Sequence, residues 1–481
     1  MHRCDHSTAS HNAANPASTR RDWLRNCAMG LPMLAMADML RGSDRAPRPV
    51  VDDPSLAPRR PHHAARAKRV VFLFMHGGPS QVDTFDYKPL LQRDHGKPLP
   101  FAKPRVTFAE TGNLFGSPFS FSQHGECGAW VSELFPHVAR CVDQLCFLKG
   151  LHGSNDAHGG ALLKIHTGSD TFVRPSVGSW VLHGLGSENQ NLPGFVTICP
   201  TLGHGGVNNW SSAFLPALFQ GTPLGNASVK AKEAGVQFLS REGSDRAVQR
   251  RQLDLLTELN REHAAVREED SVLRSRMASF ELAFRMQMEA SSVLELATET
   301  EATKRSYGLE DERTENFGRQ CLMARRLLEH GVRFVQVTHS YKWDQHGNLK
   351  QDHAKNAAEV DQPIAALLSD LQQRGMLEDT LVWWGGEFGR TPTSEGGTGR
   401  DHNPHGFTHF LAGGGVRTGF SYGATDDYGY YATQDAMHVH DLHATLLHLL
   451  GLDHERLTFR HAGRDFRLTD VHGKVAGSIL A

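Results

Sequence analysis

The sequence predicts an α/β fold, a doubly wound and mostly parallel sheet that carries a helical insertion. Three segments make the prediction, each a short apolar run rich in β-branched and aromatic residues that ends in a polar loop. They are Arg69 to Met75 before His76-Gly77-Gly78-Pro79-Ser80, Gly331 to Thr338 before Trp343-Asp344-Gln345-His346-Gly347, and Thr380 to Trp384 before Gly385-Gly386-Glu387-Phe388-Gly389. Continuous apolar runs of this length mark strands buried on both faces. Between the second and third, Val360, Ile364, Leu367, Leu368 and Leu371 recur at helical spacing from Glu359, and Gly375 supplies the stop. Strand, helix, strand in that order argues a crossover between parallel strands, and ligands of such sheets sit beyond the carboxyl ends of the strands.

Taken in chain order, residues 1–66 differ from the rest. A polar start leads to Ser18-Thr19-Arg20-Arg21-Asp22-Trp23-Leu24, then to the mostly apolar stretch Cys27 to Leu40, then to a Pro/Arg-rich segment through Ala65. This resembles a twin-arginine export signal with a disordered linker, which implies a protein exported already folded to the periplasm, the medium or the cell surface. The alternative is an amphipathic helix and a tether, because Asp38 interrupts the apolar stretch and no clean A-x-A site follows. The α/β domain is then 67–481. Within it, 226–329 is dense in Glu, Arg and Gln, with Leu253, Leu255, Leu256, Leu259, Leu294 and Leu296 and little Pro or Gly, and predicts the helical insertion. Ala436 to Leu450, stopped by Gly451, predicts a further helix. No apolar run reaches the roughly 18 residues of a membrane-spanning helix.

Composition narrows the function. With 51 Lys+Arg against 53 Asp+Glu, the net charge of −2 offers no global field for nucleic acid or an anionic membrane, so nucleic acid is not an expected partner. The seven Cys form no CxxC pair and read as scattered apolar core residues. The 29 His are unevenly spread: nine fall in 67–220 and ten in 401–481, but only His263 and His330 in 221–330. The histidines follow the loops, not the helices.

A site can be assembled from those loops. Asp344 and His346 are two residues apart after a strand, where an extended backbone sends both side chains to one side. Glu387 follows the next strand, and Arg400-Asp401-His402-Asn403-Pro404-His405-Gly406 arrives soon after through Gly396 to Gly399. Mixed oxygen and nitrogen ligands of this kind suit one or two divalent ions, Zn, Mn, Mg or Ca. Any one of these residues alone reads better as a cap or turn former; their collection at successive strand ends favours a metal site. Arg390 and Arg400 are candidate anion clamps, or partners that neutralise the adjacent carboxylates. Arg174 to Trp180 and Asn208 to Pro216 offer aromatic, amide and cationic groups to a sugar ester, or simply pack as loops. His438, His440, His443 and His448 read as mostly structural, with a hydrogen-bond partner for a ligand among His440, Asp441 and His443.

The motifs His76-Gly-Gly-Pro-Ser-Gln-Val-Asp83-Thr-Phe-Asp86, Trp343-Asp-Gln-His-Gly347, Gly386-Glu-Phe-Gly-Arg-Thr-Pro392, Gly399-Arg-Asp-His-Asn-Pro404 and Gly463-Arg-Asp-Phe-Arg-Leu-Thr-Asp-Val-His-Gly473 together resemble the DUF1501 family, exported bacterial proteins related to alkaline phosphatases and sulfatases. The resemblance runs from Lys68 to the end. It implies an alkaline phosphatase-like fold and metal-assisted hydrolysis of sulfate or phosphate esters, with an anionic small molecule or a sulfated or phosphorylated saccharide as substrate. It also implies metal ligands at His76, Asp83, Asp344, His346, Glu387 and His402, with Phe388 where the superfamily has an imidazole. In His158-Gly-Gly-Ala-Leu-Leu-Lys-Ile-His-Thr167-Gly168, the place of the superfamily's Ser, Thr or modified Cys nucleophile falls on His158. Three roles are open to His158: a metal ligand that compensates for Phe388, which is preferred; the nucleophile itself; or a bystander to attack by a metal-activated water. Ser154 is a weak hydroxyl candidate that reads more simply as part of a turn. The alternative function is a non-catalytic secreted protein of the same fold that binds metal or carbohydrate.

Overall fold

The structure, a computed structural model, describes residues 56–102, 110–236, 245–265 and 271–481. The export signal lies outside the described residues. By compactness the chain divides into two units. The small one, in its described part 245–258, is most of the polar helix Arg246–Ala265; the large one comprises Asp53–Gly243 and Leu259–Ala481 and holds the sheet and the site.

In the large unit, nine strands among the described residues form one sheet: β1 Arg69–Met75, β2 Leu145–His152, β3 Phe195–Ile198, β4 Thr222–Leu224, β5 Phe334–His339, β6 Thr380–Gly385, β7 Phe407–Ala412, β8 Phe420–Tyr422 and β9 Met437–His438. Their spatial order is β8-β2-β7-β6-β1-β5-β3-β4, with β9 also on β2. The most apolar run in the sequence takes the centre. β1 pairs in parallel with β5, from Val70 opposite Phe334 to Met75 opposite His339, and with β6, from Arg69 opposite Thr380 to Phe74 opposite Gly385. Covered on both faces, Val70 to Met75 are all buried, and Phe72 stacks on Trp383 of β6 at 3.5 Å between centroids. Each such side chain contributes about 1.5–3 kcal/mol by leaving water. Only β7 runs antiparallel, against both β6 and β2. Two reversals restore direction, so β2 ends on the same edge as β1, β5 and β6. That edge is where the loops singled out in the sequence emerge.

The longer helices among the described residues are α1 His158–Thr167, α2 Val177–Leu185, α3 Arg246–Ala265, α4 Ser271–Leu294, α5 Glu315–Glu329, α6 Leu349–Gln373 and α7 Val439–Leu449. Three differences from the sequence reading have physical causes. First, α6 begins at Leu349 and not Glu359; its first turns bury only Leu349, His353, Asn356 and Ala357, so no apolar period announces them. Second, the predicted insertion ends too late, because α5 buries Phe317, Cys321, Leu322 and Leu328 and packs on β5 as the crossover helix that leads into it. Third, the expected disordered linker does not extend through residue 66. Arg59 N–H donates to the Leu185 carbonyl, His62 to Gly451, and Arg66 and Ala67 to Leu449, while Leu56 is buried. Of the described cysteines, Cys141, Cys146, Cys199 and Cys321 are buried free thiols and Cys127 is exposed. No helix among the described residues is long and apolar enough to cross a membrane.

Candidate metal centre

Five elements deliver side chains to the shared edge. His76 follows β1, Asp344 and His346 follow β5, Glu387 follows β6, His158 opens α1, and His402 sits on a short strand paired with Gly389–Arg390. Glycine makes this convergence possible at two points. Gly77 has φ +118°, and a Cβ there would lie 2.7 Å from the backbone nitrogens of Trp343 and Asp344; its own N–H donates to both Glu387 oxygens at 3.0 and 3.1 Å. A Cβ on Gly399 would lie 2.1 Å from the His346 carbonyl, so only glycine lets the 396–399 loop close over that histidine.

The centre of the arrangement is one oxygen. Asp344 Oδ1 lies 3.2 Å from His158 Nε2, 3.0 Å from His346 Nε2, 3.1 Å from His402 Nε2 and 2.6 Å from Arg390 Nη2. The Nε2 atoms of His346 and His402 are themselves 3.0 Å apart. The opposite ring nitrogens fix the tautomers, because each faces a pure acceptor: His158 Nδ1 meets Glu387 Oε1 at 2.6 Å, His402 Nδ1 meets the Asp156 carbonyl at 2.6 Å, and His346 Nδ1 meets Glu395. With Nδ1 carrying hydrogen, each of the three imidazoles in its neutral form aims an Nε2 lone pair at one carboxylate oxygen. Lone pairs gathered this way repel unless protons or a cation stand among them, and an anchored Nδ1–H is how metal-binding histidines are oriented. Two further groups have ligand atoms within 4.8 Å of one another: His76, His158 and Glu387; and His346, Asp401 and His402. The buried Nε2 atom of His76 has no hydrogen-bond partner. The donor set, imidazole and carboxylate with no thiolate, fits the borderline-to-hard divalent ions named above.

Asp83 and Arg400 stand apart from these groups. Arg400, with no exposed side-chain area, bonds Asp83 at 2.7 and 3.2 Å and donates to the Thr391 carbonyl, so each of the two neutralises the other. Their role is structural because both are sealed from any ligand. Asp83→Asn is therefore expected to cost about 3 kcal/mol or more, since it strands a buried guanidinium, while metal content stays at the parent level. Denaturant unfolding and elemental analysis of the variant check this. Arg390 also faces inward: it donates to the carbonyls of Gly77, Gly78 (3.0 Å), Trp343 (3.1 Å) and Arg400 (3.2 Å) as well as to Asp344. Phe388 is a wall, its ring stacked on His402 at 4.5 Å and 4.8 Å from His158. Ser154 donates to Asp170 on the surface. Trp180 and Trp210 are buried packing residues, and Arg174 lies over the Phe172 and Phe466 rings. His440 and His443 bond the carbonyls of Gly168 and Ile165, so they brace the far end of α1 and bond no candidate ligand directly.

The family described as "Protein of unknown function (DUF1501)" matches residues 67–480. The chain belongs to the DUF1501 family. No curated protein matches the sequence. Among solved structures, this DUF1501 member is similar to the lipoteichoic acid synthase LtaP from Listeria monocytogenes, at 7% identity and TM-score 0.37 over 85% of this chain and 76% of that one. It is also similar to the PsFucS1 sulfatase from Pseudoalteromonas sp., at 12% identity and TM-score 0.34 over 81% and 69%. A third is the alkaline phosphatase from the Antarctic bacterium TAB5, at 10% identity and TM-score 0.30 over 76% and 96%.

Protonation in this DUF1501 chain follows from the same contacts. Burial opposes the charge on Asp344, but hydrogen bonds from His158, His346 and His402 with the nearby Arg390 charge outweigh it and hold the carboxyl well below its usual range. Burial likewise opposes Glu387, which His158 and His76 bring down to about 2. Burial keeps His76 neutral, lowered to about 4. His346 is raised to about 9, chiefly by its bond to Asp344; His158 is raised because its bonds to Asp344 and Glu387 outweigh burial. His346 therefore carries an extra proton at neutral pH, and an incoming cation must displace it. Apparent metal affinity is expected to rise with pH, by about tenfold per unit for each proton released, and to level off above about 9. Calorimetry in buffers of different ionisation enthalpy reads the proton count, and a pH-independent affinity contradicts the assignment.

Sequence reasoning missed four neighbours. Glu395 anchors His346, and the Tyr341 hydroxyl donates to Asp344 Oδ2. Asp401 belongs to a ligand group although its motif directed attention to His402. His204, at φ +47°, stacks on His158 at 5.2 Å and meets Tyr341 at 4.9 Å. Only His204 left a signal: Thr201-Leu-Gly-His204-Gly-Gly206 follows β3 with the same strand-then-glycine pattern as the other loops.

Proposed function

We propose that this protein is a metal-dependent hydrolase of sulfate or phosphate esters that works after export by the twin-arginine route. The observation that carries the reading is the convergence of His158, His346 and His402 Nε2 atoms on Asp344 Oδ1, each ring fixed from behind by an acceptor. A divalent cation held by these four, with His76 and Glu387 as a second group, would supply Lewis-acid polarisation of an ester oxygen. The chain's own residues prepare that task. His158 has one nitrogen bonded to Glu387 and the other buried, which supports a ligand role over direct attack, since a nucleophile must reach the substrate. Arg390, fully buried with its fork on backbone carbonyls, is a positioning residue that sets the direction of Asp344. Arg400 acts at one further remove, through Asp83 and Thr391. His204 and Tyr341, both exposed, border the approach to the buried imidazoles of His76 and His158.

The test is made on purified full-length chain. About one or two equivalents of divalent metal are expected, with hydrolysis of an aryl sulfate or aryl phosphate that a chelator abolishes and added metal restores. Bound metal without turnover of either ester would instead support the non-catalytic reading.

A further inference from the structure

One surface beside the metal centre is unused by the function proposed so far. Phe101, Tyr428, Tyr430, Tyr431 and His405 form a continuous aromatic group: Tyr430 and Tyr431 are 4.7 Å apart between centroids, His405 meets them at 6.1 and 5.4 Å, and Phe101 contacts all three tyrosines at 5.9–6.4 Å. Tyr430 is buried beneath, while Tyr431 is 37% exposed and His405 is exposed. Tyr431 and His405 thus put two adjoining rings at the surface over the buried ring of Tyr430.

The group is rigid. Both oxygens of Asp426 are occupied by the loop that carries the tyrosines: the amides of Tyr428, Gly429 and Tyr430 donate to Oδ1 at 2.9, 2.9 and 3.1 Å, and that of Tyr431 to Oδ2 at 2.7 Å. The Asn403 amide donates to the Tyr430 carbonyl at 2.9 Å, and Ala432 N–H donates to the His405 carbonyl at 2.8 Å. Four loop amides locked on one carboxylate make a platform whose ordering cost is met before any ligand arrives.

Its position ties it to the reaction. His405 is three residues beyond His402, a span of at most about 10 Å of extended chain, which is the length of one or two sugar rings. Asp401 bridges the gap, with an oxygen within 4.8 Å of ligand atoms of His346 and His402 and a charge that bears on Tyr430. Aromatic faces carry partial negative charge and favour the polarised C–H face of a pyranose, whose hydroxyls a neighbouring carboxylate accepts.

We infer that the Tyr431–His405–Tyr430 platform is a sugar-binding subsite, which makes the substrate a saccharide bearing a sulfate or phosphate ester that reaches the metal centre while a ring stacks on Tyr431. This rests on the hydrolase reading and specifies its substrate. Trp180 and Trp210, the rings that the sequence offered for sugar stacking, are themselves buried.

The experiment uses the metal-loaded full chain on an array of neutral, sulfated and phosphorylated oligosaccharides. The parent is expected to retain sulfated or phosphorylated glycans, Tyr431→Ala to weaken that retention by about tenfold, and Tyr431→Phe, which keeps the face, to preserve it. Metal content and melting midpoint of each variant are read alongside, to exclude misfolding. Retention indifferent to Tyr431→Ala, or no glycan retained by the parent, overturns the subsite. Turnover of aryl esters by the parent is scored separately, so glycan retention that depends on Tyr431 without any ester turnover would sink hydrolysis and leave the platform standing.

Discussion

Asp344→Asn is expected to empty the metal centre. The carboxylate oxygen at the focus of three imidazoles supplies the anionic ligand and the charge that draws a cation among their lone pairs. An amide supplies neither, and its N–H₂ can donate to the imidazoles that should hold metal. Metal affinity is expected to fall by more than about 100-fold, beyond what loss of an outer partner costs, with ester turnover lost in parallel. Folding suffers too, by about 3 kcal/mol, because Arg390 is left as a buried charge facing only carbonyls. Asp344→Glu keeps the charge and separates the effects: stability should recover more than affinity, because the longer arm misplaces the oxygen. Elemental analysis and calorimetry decide the matter, and an Asp344→Asn protein that binds metal within about threefold of the parent removes Asp344 from the centre.

The second large effect belongs to Arg390. Its guanidinium ties the turn after β1 to the segment after β5 and to the Arg400 carbonyl just before His402. Arg390→Met fills the volume but removes every donor, so the buried Gly77 and Gly78 carbonyls lose partners at about 1–3 kcal/mol for each group left unsatisfied. A loss of about 3–5 kcal/mol is expected, with metal affinity falling because Asp344 is no longer aimed. Arg390→Lys restores the charge but not the fork, and is expected to recover stability only in part. Denaturant unfolding that changes by less than about 1 kcal/mol in Arg390→Met would show that other contacts hold these loops.

What the sequence made legible, and what it hid, divides along physical lines. β1 matches its predicted bounds, from Arg69 to Met75, because a central parallel strand must be apolar on both faces and its glycine turn must bend sharply. The gathering of Asp344, His346, Glu387 and His402 was legible for the same reason, since parallel strands place their following loops on one edge, whereas His76 and His158 joined the set only through the family resemblance. Pairings across that edge were not legible. Arg390 and Arg400 were weighed against the carboxylates nearest in sequence, yet they bond Asp344 and Asp83, whose distance from them along the chain leaves no periodic trace. Glu395 and Tyr341 escaped because orienting a ligand requires only one well-placed acceptor or donor, on any loop. The polar start of α6 hid its first turns, and the charged exterior of α5 hid its place in the core rather than its helicity. The aromatic platform left no trace in the sequence, because nothing in the spacing of Tyr428, Tyr430 and Tyr431 shows that Asp426 holds their amides.

The central claim is that three imidazoles and one carboxylate hold a metal ion. X-ray absorption at the edge of the metal that co-purifies with the full chain tests it most directly. The account predicts a shell of imidazole nitrogens, three or more, with carboxylate oxygen, at about 2.0–2.1 Å if the ion is zinc. A shell made of oxygen alone, or an unchanged shell in a triple His158, His346 and His402 variant, contradicts it.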